Sequence, residues 1–475
     1  MAAPAAKAPE QRMRSSVSGA APSGAAGGTG PGNLQPSGTH RYIKGTTIEK
    51  PPNYEGDAII AIAKHPMNLL LIFQPLGIVS YYLDWGASYV FWFNFFAMIP
   101  LAKILGDATE ELAASLKNDM LAGLLNATFG NAVEMVITVQ TLRAGLFDVV
   151  KATLLGSVLS NTLLVLGMSF LCGGLWTFKE RREEAPGKGE DGRMQPLQPG
   201  SDVFGDNGTG SMEAMADAFN VEEKIQSFSV LGALVNTSML LISCMSFSLI
   251  TVFRCVTHTD DAEETYRYTE DILLPVSRIS SMIIMMAYVA YIFFQLVTHK
   301  EAMSTEGEDD GGEDEGSHLS VVKSTCLLFL TTGIVAFSSD LMVDAIEGVT
   351  EKAKLSEHFI GIILLPIVGN ACEHAAAVRF AMQDKLGLSV SIAVGSSTQI
   401  ALFVVPFSVL AGWAFGKPMD LNFGTLNTSM ITLSVIVVLS MVVDGQSNWL
   451  QGYLLCSVYA IIAVMYWYLP DTVHV

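Results

Sequence analysis

Eleven apolar stretches run along the chain, at about residues 66–83, 86–106, 121–142, 150–176, 228–253, 275–298, 321–341, 359–381, 388–413, 422–443 and 448–469. Most are close to the roughly 20 residues that an α-helix needs to cross a bilayer. They predict an all-α polytopic membrane protein with eleven transmembrane helices: one leading helix, then two groups of five. A five-helix unit ends on the opposite side of the membrane from where it began. Two consecutive units are therefore inverted repeats, as in many alternating-access carriers. The implied organisation is a disordered N-terminal tail (1–58), a leading helix (59–85), a first repeat (86–298), an acidic linker (299–320) and a second repeat (321–470).

Composition agrees with a membrane location: half the residues are hydrophobic and the mean hydropathy is +0.41. The net charge of −19 is concentrated in hydrophilic connectors and makes nucleic acid an unsuitable partner. The tail is rich in Ala, Gly, Pro and Ser. No early apolar core is followed by a cleavage site, which argues against a cleaved signal peptide. Its scattered Lys and Arg favour a cytosolic N-terminus. Residues 179–227 read as a flexible loop with a short amphipathic end. Residues 301–315 carry Glu301, Glu306, Glu308, Asp309, Asp310, Glu313, Asp314 and Glu315 with no basic residue. They read as a solvated linker, or as an antechamber whose field concentrates cations. Their spacing does not fit an EF-hand loop. The six cysteines show neither C-x-x-C nor Cys/His spacing, so neither a disulfide framework nor a zinc site is expected.

Two short words stand out from the apolar background: Gly130-Asn131-Ala132-Val133-Glu134 and Gly369-Asn370-Ala371-Cys372-Glu373. Each is followed, at the same distance from its glutamate, by Gly-Ser: Gly156-Ser157 and Gly395-Ser396. A pair with equal spacing is an internal repeat. A carboxylate near the middle of a membrane helix costs about 2.5–3.5 kcal/mol on insertion scales, so it usually faces a cavity and carries function. Glycine and asparagine loosen the helix beside it, and Pro366 adds a break in the second copy. Free carbonyls and carboxylates are what a hard divalent cation takes as ligands. The plainer alternative is that Gly-Asn-Ala merely lets helices pack closely.

More oxygen surrounds each word. Ser157, Ser160 and Asn161 share a helical face, as do Ser396 and Gln399. The expected cation-binding set is Glu134, Glu373, Asn131, Asn370, Ser157, Ser396 and Gln399, with the two glutamates as the acidic metal ligands. His374 stands where the first repeat has Met135, either as a packed polar residue or as a proton relay beside Glu373. Asp107, Glu110, Glu111, Asp340, Asp344 and Glu347 fall near helix ends, as solvated acids or as vestibule acids.

The two words, the run Asn126-Ala-Thr-Phe-Gly-Asn131, the segment from Gly156-Ser157 to Asn161 and the acidic linker resemble the calcium/proton exchanger (CAX) family of the calcium/cation antiporter superfamily. The resemblance covers about residues 66–470. It implies eleven helices, exchange of calcium or another divalent cation for protons without a cofactor, and a vacuolar or similar acidic-organelle membrane. It carries the family's paired cation-binding glutamates onto Glu134 and Glu373, and its neighbouring histidine onto His374. Calcium, protons and the lipid bilayer are the expected partners; a homo-oligomer is compatible but nothing in the residues requires it.

The chemistry of the residues points the same way. A carboxyl group removed from water is costly as a bare anion, so it holds either a proton or a cation. A divalent cation that neutralises two carboxylates displaces their protons, and competition for the same groups couples the two fluxes. There is no Gly-x-x-x-x-Gly-Lys-[Ser/Thr] word, so an ion gradient must supply the energy. Glu134, Glu373 and His374 are the expected proton-coupling groups. A sodium-coupled calcium exchanger is the main alternative, although its Gly-Thr-Ser words are missing. An intramembrane hydrolase lacks its motifs, and a simple channel leaves the repeat without a purpose.

Overall fold

The computed structural model describes residue 62 and residues 64–116, 118–184, 225–256, 268–299, 319–353 and 355–470. The 1–58 tail, residues 185–224 of the expected loop, residues 301–318 of the acidic linker and the end beyond residue 470 lie outside the described residues.

The leading stretch is shorter than a full span. A 3₁₀ turn, Pro66–Ile72, opens after His65, whose ring accepts from the Met67 amide, and leads into α1, Phe73–Tyr82. Next come α2 (Ala87–Ser115), α3 (Asp119–Phe129), α4 (Ala132–Ala144), α5 (Phe147–Leu175), α6 (Val230–Val256) and α7 (Thr269–Thr298). The second half follows with α8 (Val321–Asp344), α9 (Ile346–Ala353), α10 (Glu357–Gly369), α11 (Ala371–Met382), α12 (Leu386–Ala414), α13 (Thr425–Val442) and α14 (Trp449–Tyr468). Among the described residues, eight helices are long and apolar enough to cross a membrane, or nine if the bent pair α10/α11 counts as one.

Two kinds of departure from regular helix recur at matched places in the two halves, while three further π turns, Thr269–Leu273, Phe294–Thr298 and Ile360–Leu364, have no such match. Asn131 separates α3 from α4 with φ −107° and ψ 32°; Asn370 separates α10 from α11 with φ −88° and ψ 14°. Both lie outside the α-helical region, as expected when a side-chain amide competes for backbone bonds. At the second break the helices bend by 59°. After each Gly-Ser word the helix widens into a π turn, Ser160–Val165 in α5 and Ile400–Val404 in α12. Such turns are rare and often mark functional positions.

Two apolar clusters frame these breaks. One joins α5, α6, α7 and α12–α14 with parts of α10 and α11; the other joins α2, α4, α8 and α9 with the rest of α10. Contacts are closest where side chains are smallest. A Cβ on Gly156 would come within 2.3 Å of the Ile362 carbonyl oxygen, so α5 and α10 meet backbone to backbone. This is the small-residue packing that membrane helices use in place of a hydrophobic drive.

Three details differ from the pattern-based expectation. The 121–142 stretch is two helices rather than one, because the Gly-Asn break interrupts it. The helix that starts in the 150–176 stretch keeps its backbone form to Glu184, inside the expected 179–227 loop. The end of that loop forms β1 (Gln226–Ser227), paired antiparallel with β2 (Gln446–Ser447), a small strand pair in an otherwise helical fold. Apolar periodicity is blind to such a pair, since two residues per strand carry no alternation to read.

Candidate cation site

Each Gly-Asn break sets its glutamate in the first turn of a new helix: Glu134 in α4, Glu373 in α11. The first turn of a helix has free N–H groups and the positive end of the dipole, which suits a carboxylate there. The breaks also tie the two halves together. Asn131 Nδ2 donates to Gln399 Oε1 at 2.8 Å, and Ser396 Oγ donates to Asn131 Oδ1 at 3.0 Å. Asn161 Nδ2 donates to Ser396 Oγ at 3.1 Å. In the reciprocal direction, Asn370 Nδ2 donates to the Ser157 backbone carbonyl at 3.1 Å. The asparagine of each word therefore bonds to the Gly-Ser segment of the other half.

Glu134 lies across the same divide. It is 2 % exposed, and a Cβ on Gly369 would stand 2.7 Å from its Oε1. The first glutamate thus rests on the first residue of the second word, where only glycine leaves room. Five oxygens of this constellation are buried without a hydrogen-bond partner: Glu134 Oε1, Glu373 Oε2, Ser157 Oγ, Asn161 Oδ1 and Asn370 Oδ1. Buried polar atoms are seldom left unpartnered. A cluster of orphaned acceptors, two of them carboxylate, fits the oxygen-only appetite of a hard divalent cation.

A cavity of about 310 Å³ reaches this place from one side. Asn131, Glu373, Ser396 and Gln399 line it, with Gly130, Gly369 and Gly395 giving smooth wall. Glu134, Asn370, Ser157 and His374 are not among the lining residues. Glu134 instead meets the cavity wall from behind, against Gly369. His374 donates its backbone N–H to Asn370 O at 2.9 Å, and its side chain is half-buried. Ser160 is buried beside Tyr459.

Of the acids near helix ends, Glu110 lines the cavity. Asp107 pairs with Lys103 one helical turn away, and Glu111 accepts the Leu319 amide at 3.1 Å. Asp340, Asp344 and Glu347 are exposed and line no part of it. The cavity also recruits Asn126, Asn236, Tyr291 and Gln295, none of which the sequence pattern singles out as a ligand. The signal at Asn236 is only that of an amide within the apolar 228–253 stretch. Tyr291 donates to Asn236 Oδ1, and Thr398 Oγ1 donates to Asn236 O at 3.0 Å.

Among the described residues, no group of three or more His, Cys, Asp or Glu side chains is placed to hold a metal ion. Two carboxylates surrounded by amide and hydroxyl oxygens suit a cation that is held and released rather than trapped.

Comparison with known proteins matches the family described as sodium/calcium exchanger protein over residues 87–190 and 323–468. Vacuolar cation/proton exchanger 5 of Arabidopsis thaliana is 38 % identical over 418 residues, covering 87 % of this chain and 83 % of that protein. The Ca2+/H+ antiporter of Synechocystis sp. is 36 % identical over 414 residues, covering 85 % of this chain and 98 % of that protein. The crystal structure of the Ca2+/H+ antiporter protein YfkE superimposes with a TM-score of 0.62 at 30 % identity, over 84 % of this chain and 98 % of that one.

Proposed function

The chain belongs to the sodium/calcium exchanger protein family, and on that premise we propose that it is a proton-coupled antiporter. It moves calcium, and other divalent cations of similar size, out of the cytosol into an acidic organelle in exchange for protons. The observation that carries this reading is the meeting of the two words: Glu134 rests on Gly369 of the other half, and oxygens of both halves are left without partners around it. Relatives named vacuolar cation/proton exchanger and Ca2+/H+ antiporter support it. A multi-pass vacuolar membrane is the location they support.

In this reading Glu134 and Glu373 take either a divalent cation or protons, and Asn131, Asn370, Ser157, Ser396 and Gln399 supply the neutral oxygens or hold them in register. Calcium at the pair neutralises both carboxylates and expels their protons. Protons arriving from the acidic side reverse the exchange. His374 sits one residue from Glu373 and assists proton release without touching the cation. The Gly-Asn breaks matter because they turn two helix N-termini toward the carboxylates.

The finer architecture belongs to the same proposal: eleven spans, with α1 leading and two inverted sets of five after it. The matched breaks and matched π turns support two equivalent sets. The α3/α4 pair is then one broken span, as α10/α11 is, and the N-terminus is cytosolic.

The test is calcium uptake into vesicles with an imposed pH gradient, repeated with the gradient collapsed and with sodium replaced by choline. Uptake that needs the pH gradient and ignores sodium is expected. Uptake that follows a sodium gradient instead would identify a sodium-coupled exchanger, and uptake without any gradient a channel.

A further inference from the structure

At the opposite end of α11 from Glu373, one buried amide contacts two of the helices that form the site. Gln226 is 3 % exposed although it follows directly on the long hydrophilic connector. Its backbone is fixed by the pairing of β1 with β2, and the Phe228 amide donates to Gly445 O at 2.9 Å. Its side chain then points into the protein. Nε2 donates to Asp384 Oδ1 at 3.2 Å and to the Ala381 carbonyl at 3.4 Å. Ala381 lies in the last turn of α11, and Asp384 follows the helix in the left-handed region at φ 62°.

A helix end leaves carbonyls without intrahelical partners. The Ala381 carbonyl accepts the Asp384 amide at 3.2 Å, and a side chain from another part of the chain adds a further donor there. The space for it is made by Gly173 of α5, where a Cβ would come within 2.7 Å of Gln226 Oε1 and 2.9 Å of the Ala381 carbonyl oxygen. α11 carries Glu373 at its other end, and α5 carries Ser157. The same two helices are bonded at the site, by Asn370 Nδ2 to Ser157 O. The two helices are thus joined at the site by a hydrogen bond, and at the far end of α11 by Gln226, which bonds to α11 and packs on Gly173 of α5.

We propose that Gln226 is a positioning residue of the exchanger: it fixes α11 along its axis against α5, and so sets where Glu373 stands relative to Ser157. The proposal rests on the antiporter reading above.

Side-chain volume and hydrogen bonding can be separated here. Gln226→Leu keeps the volume and removes both donors. Gln226→Glu keeps the shape but faces Asp384 with an acceptor. Adding Asp384→Asn to Gln226→Glu rebuilds one bond with donor and acceptor exchanged, because the amide introduced at position 384 would donate to the carboxylate introduced at position 226. Asp384→Asn alone keeps an amide oxygen that can accept from Gln226, and serves as the control for the double variant.

The experiment measures the dependence of uptake rate on calcium concentration in proteoliposomes under a fixed pH gradient. The expected result is a three- to tenfold rise in half-saturating calcium for Gln226→Leu and Gln226→Glu, with recovery to within about twofold of wild type in the double variant. An unchanged half-saturating calcium in both single variants overturns the proposal. So does a lowered maximal rate with unchanged half-saturation, or a double variant no better than Gln226→Glu. Wild-type protein in parallel vesicles keeps the questions apart: if it shows no gradient-driven calcium uptake, the antiporter reading has failed rather than the role of Gln226.

Discussion

Asn131 Nδ2 lies 2.8 Å from Gln399 Oε1, and 268 residues of chain separate the two. That bond has a counterpart in placement but not in chemistry: Asn370 reaches back to the other half through a backbone carbonyl, Ser157 O. The crossed pattern makes one site from two words. It also makes the halves unequal: both contribute to the cavity wall, but Glu373 lines the cavity and Glu134 does not.

The first prediction concerns the carboxylates. Glu134→Gln and Glu373→Gln each keep the side-chain shape and remove both the charge and the exchangeable proton. Each is expected to lower proton-driven calcium uptake by more than tenfold, with protein levels in the membrane unchanged. Uptake near the wild-type rate in either variant, measured with radioactive calcium, removes that residue from the site.

Competition sets the pH dependence. Protons and calcium are proposed to share the same two carboxylates, so fewer protons on the cation-loading side leave more of the pair free for calcium. Half-saturating calcium is expected to fall as loading-side pH rises, and to stop falling once the pair is unprotonated without calcium. A half-saturation constant flat from pH 6 to pH 8 would show that the protons move elsewhere.

The inequality of the halves gives a third test, at two glycines that hold equivalent places in the repeat. A Cβ on Gly156 would meet the Ile362 backbone at 2.3 Å, whereas a Cβ on Gly395 would meet nothing within 4 Å. Gly156→Ala therefore forces α5 from α10 and is expected to destabilise the protein by about 1–3 kcal/mol, the usual range for overpacking. Gly395→Ala extends into the cavity and is expected to leave stability within about 0.5 kcal/mol while slowing uptake. Thermal unfolding in detergent, run beside the transport assay, separates the two effects. Equal melting temperatures for the two variants would contradict the packing difference.

A fourth prediction tests an ion pair remote from the cavity. Lys151 Nζ and Asp420 Oδ1 stand 2.7 Å apart, with side chains only 12 % exposed each. Asp420 Oδ1 also accepts the Asn422 amide at 2.8 Å, which fixes the turn before α13. Breaking a buried pair costs more than replacing it whole, because one charge is left without compensation. Lys151→Met is expected to destabilise by roughly 3 kcal/mol, and Lys151→Met with Asp420→Asn by less. A double variant less stable than Lys151→Met contradicts this.

Much of the site is legible in the sequence because its chemistry conflicts with its surroundings. A glutamate in an apolar run, preceded by glycine and asparagine, is a local contradiction that needs a reason, and the repeat supplies it twice. Ser396 and Gln399 are legible for the same reason, and both bond to Asn131 across the two halves. Tyr291 and Gln295 are not, since an aromatic or an amide on a membrane helix reads equally well as packing until the rotation of that helix is known. The 121–142 stretch is legible as apolar from hydropathy, which sums over a window, and its break at Asn131 only from the Gly-Asn pair itself; the 3₁₀ turn that opens the 66–83 stretch leaves no such mark. Gln226 is hidden for a different reason, because its partners lie 155 and 158 residues away.

The last prediction concerns sidedness and needs no transport assay. One leading span followed by two five-span sets gives an odd total, so the termini must lie on opposite sides of the membrane. With a cytosolic N-terminus, the connector before Gln226 and the acidic linker are also cytosolic, and the C-terminus is in the lumen. Two contacts are consistent with a common side for these connectors: Glu111, near the end of α2, accepts the amide of Leu319, the residue at the end of the acidic linker, and β1 pairs with the α13–α14 connector. The sequon Asn207-Gly208-Thr209 then lies where glycosylation enzymes cannot reach it. The sequons at Asn126, Asn236 and Asn427 start within helices. Electrophoretic mobility is therefore expected to be unchanged by glycosidase. A C-terminal epitope is expected to survive protease added to sealed organelles, while an N-terminal one is cut. Loss of both epitopes together, or a sugar on Asn207, would make the span count even. The leading helix or one broken span would then have to be re-entrant, and α1 is the first to suspect because Phe73–Tyr82 is only 10 residues long.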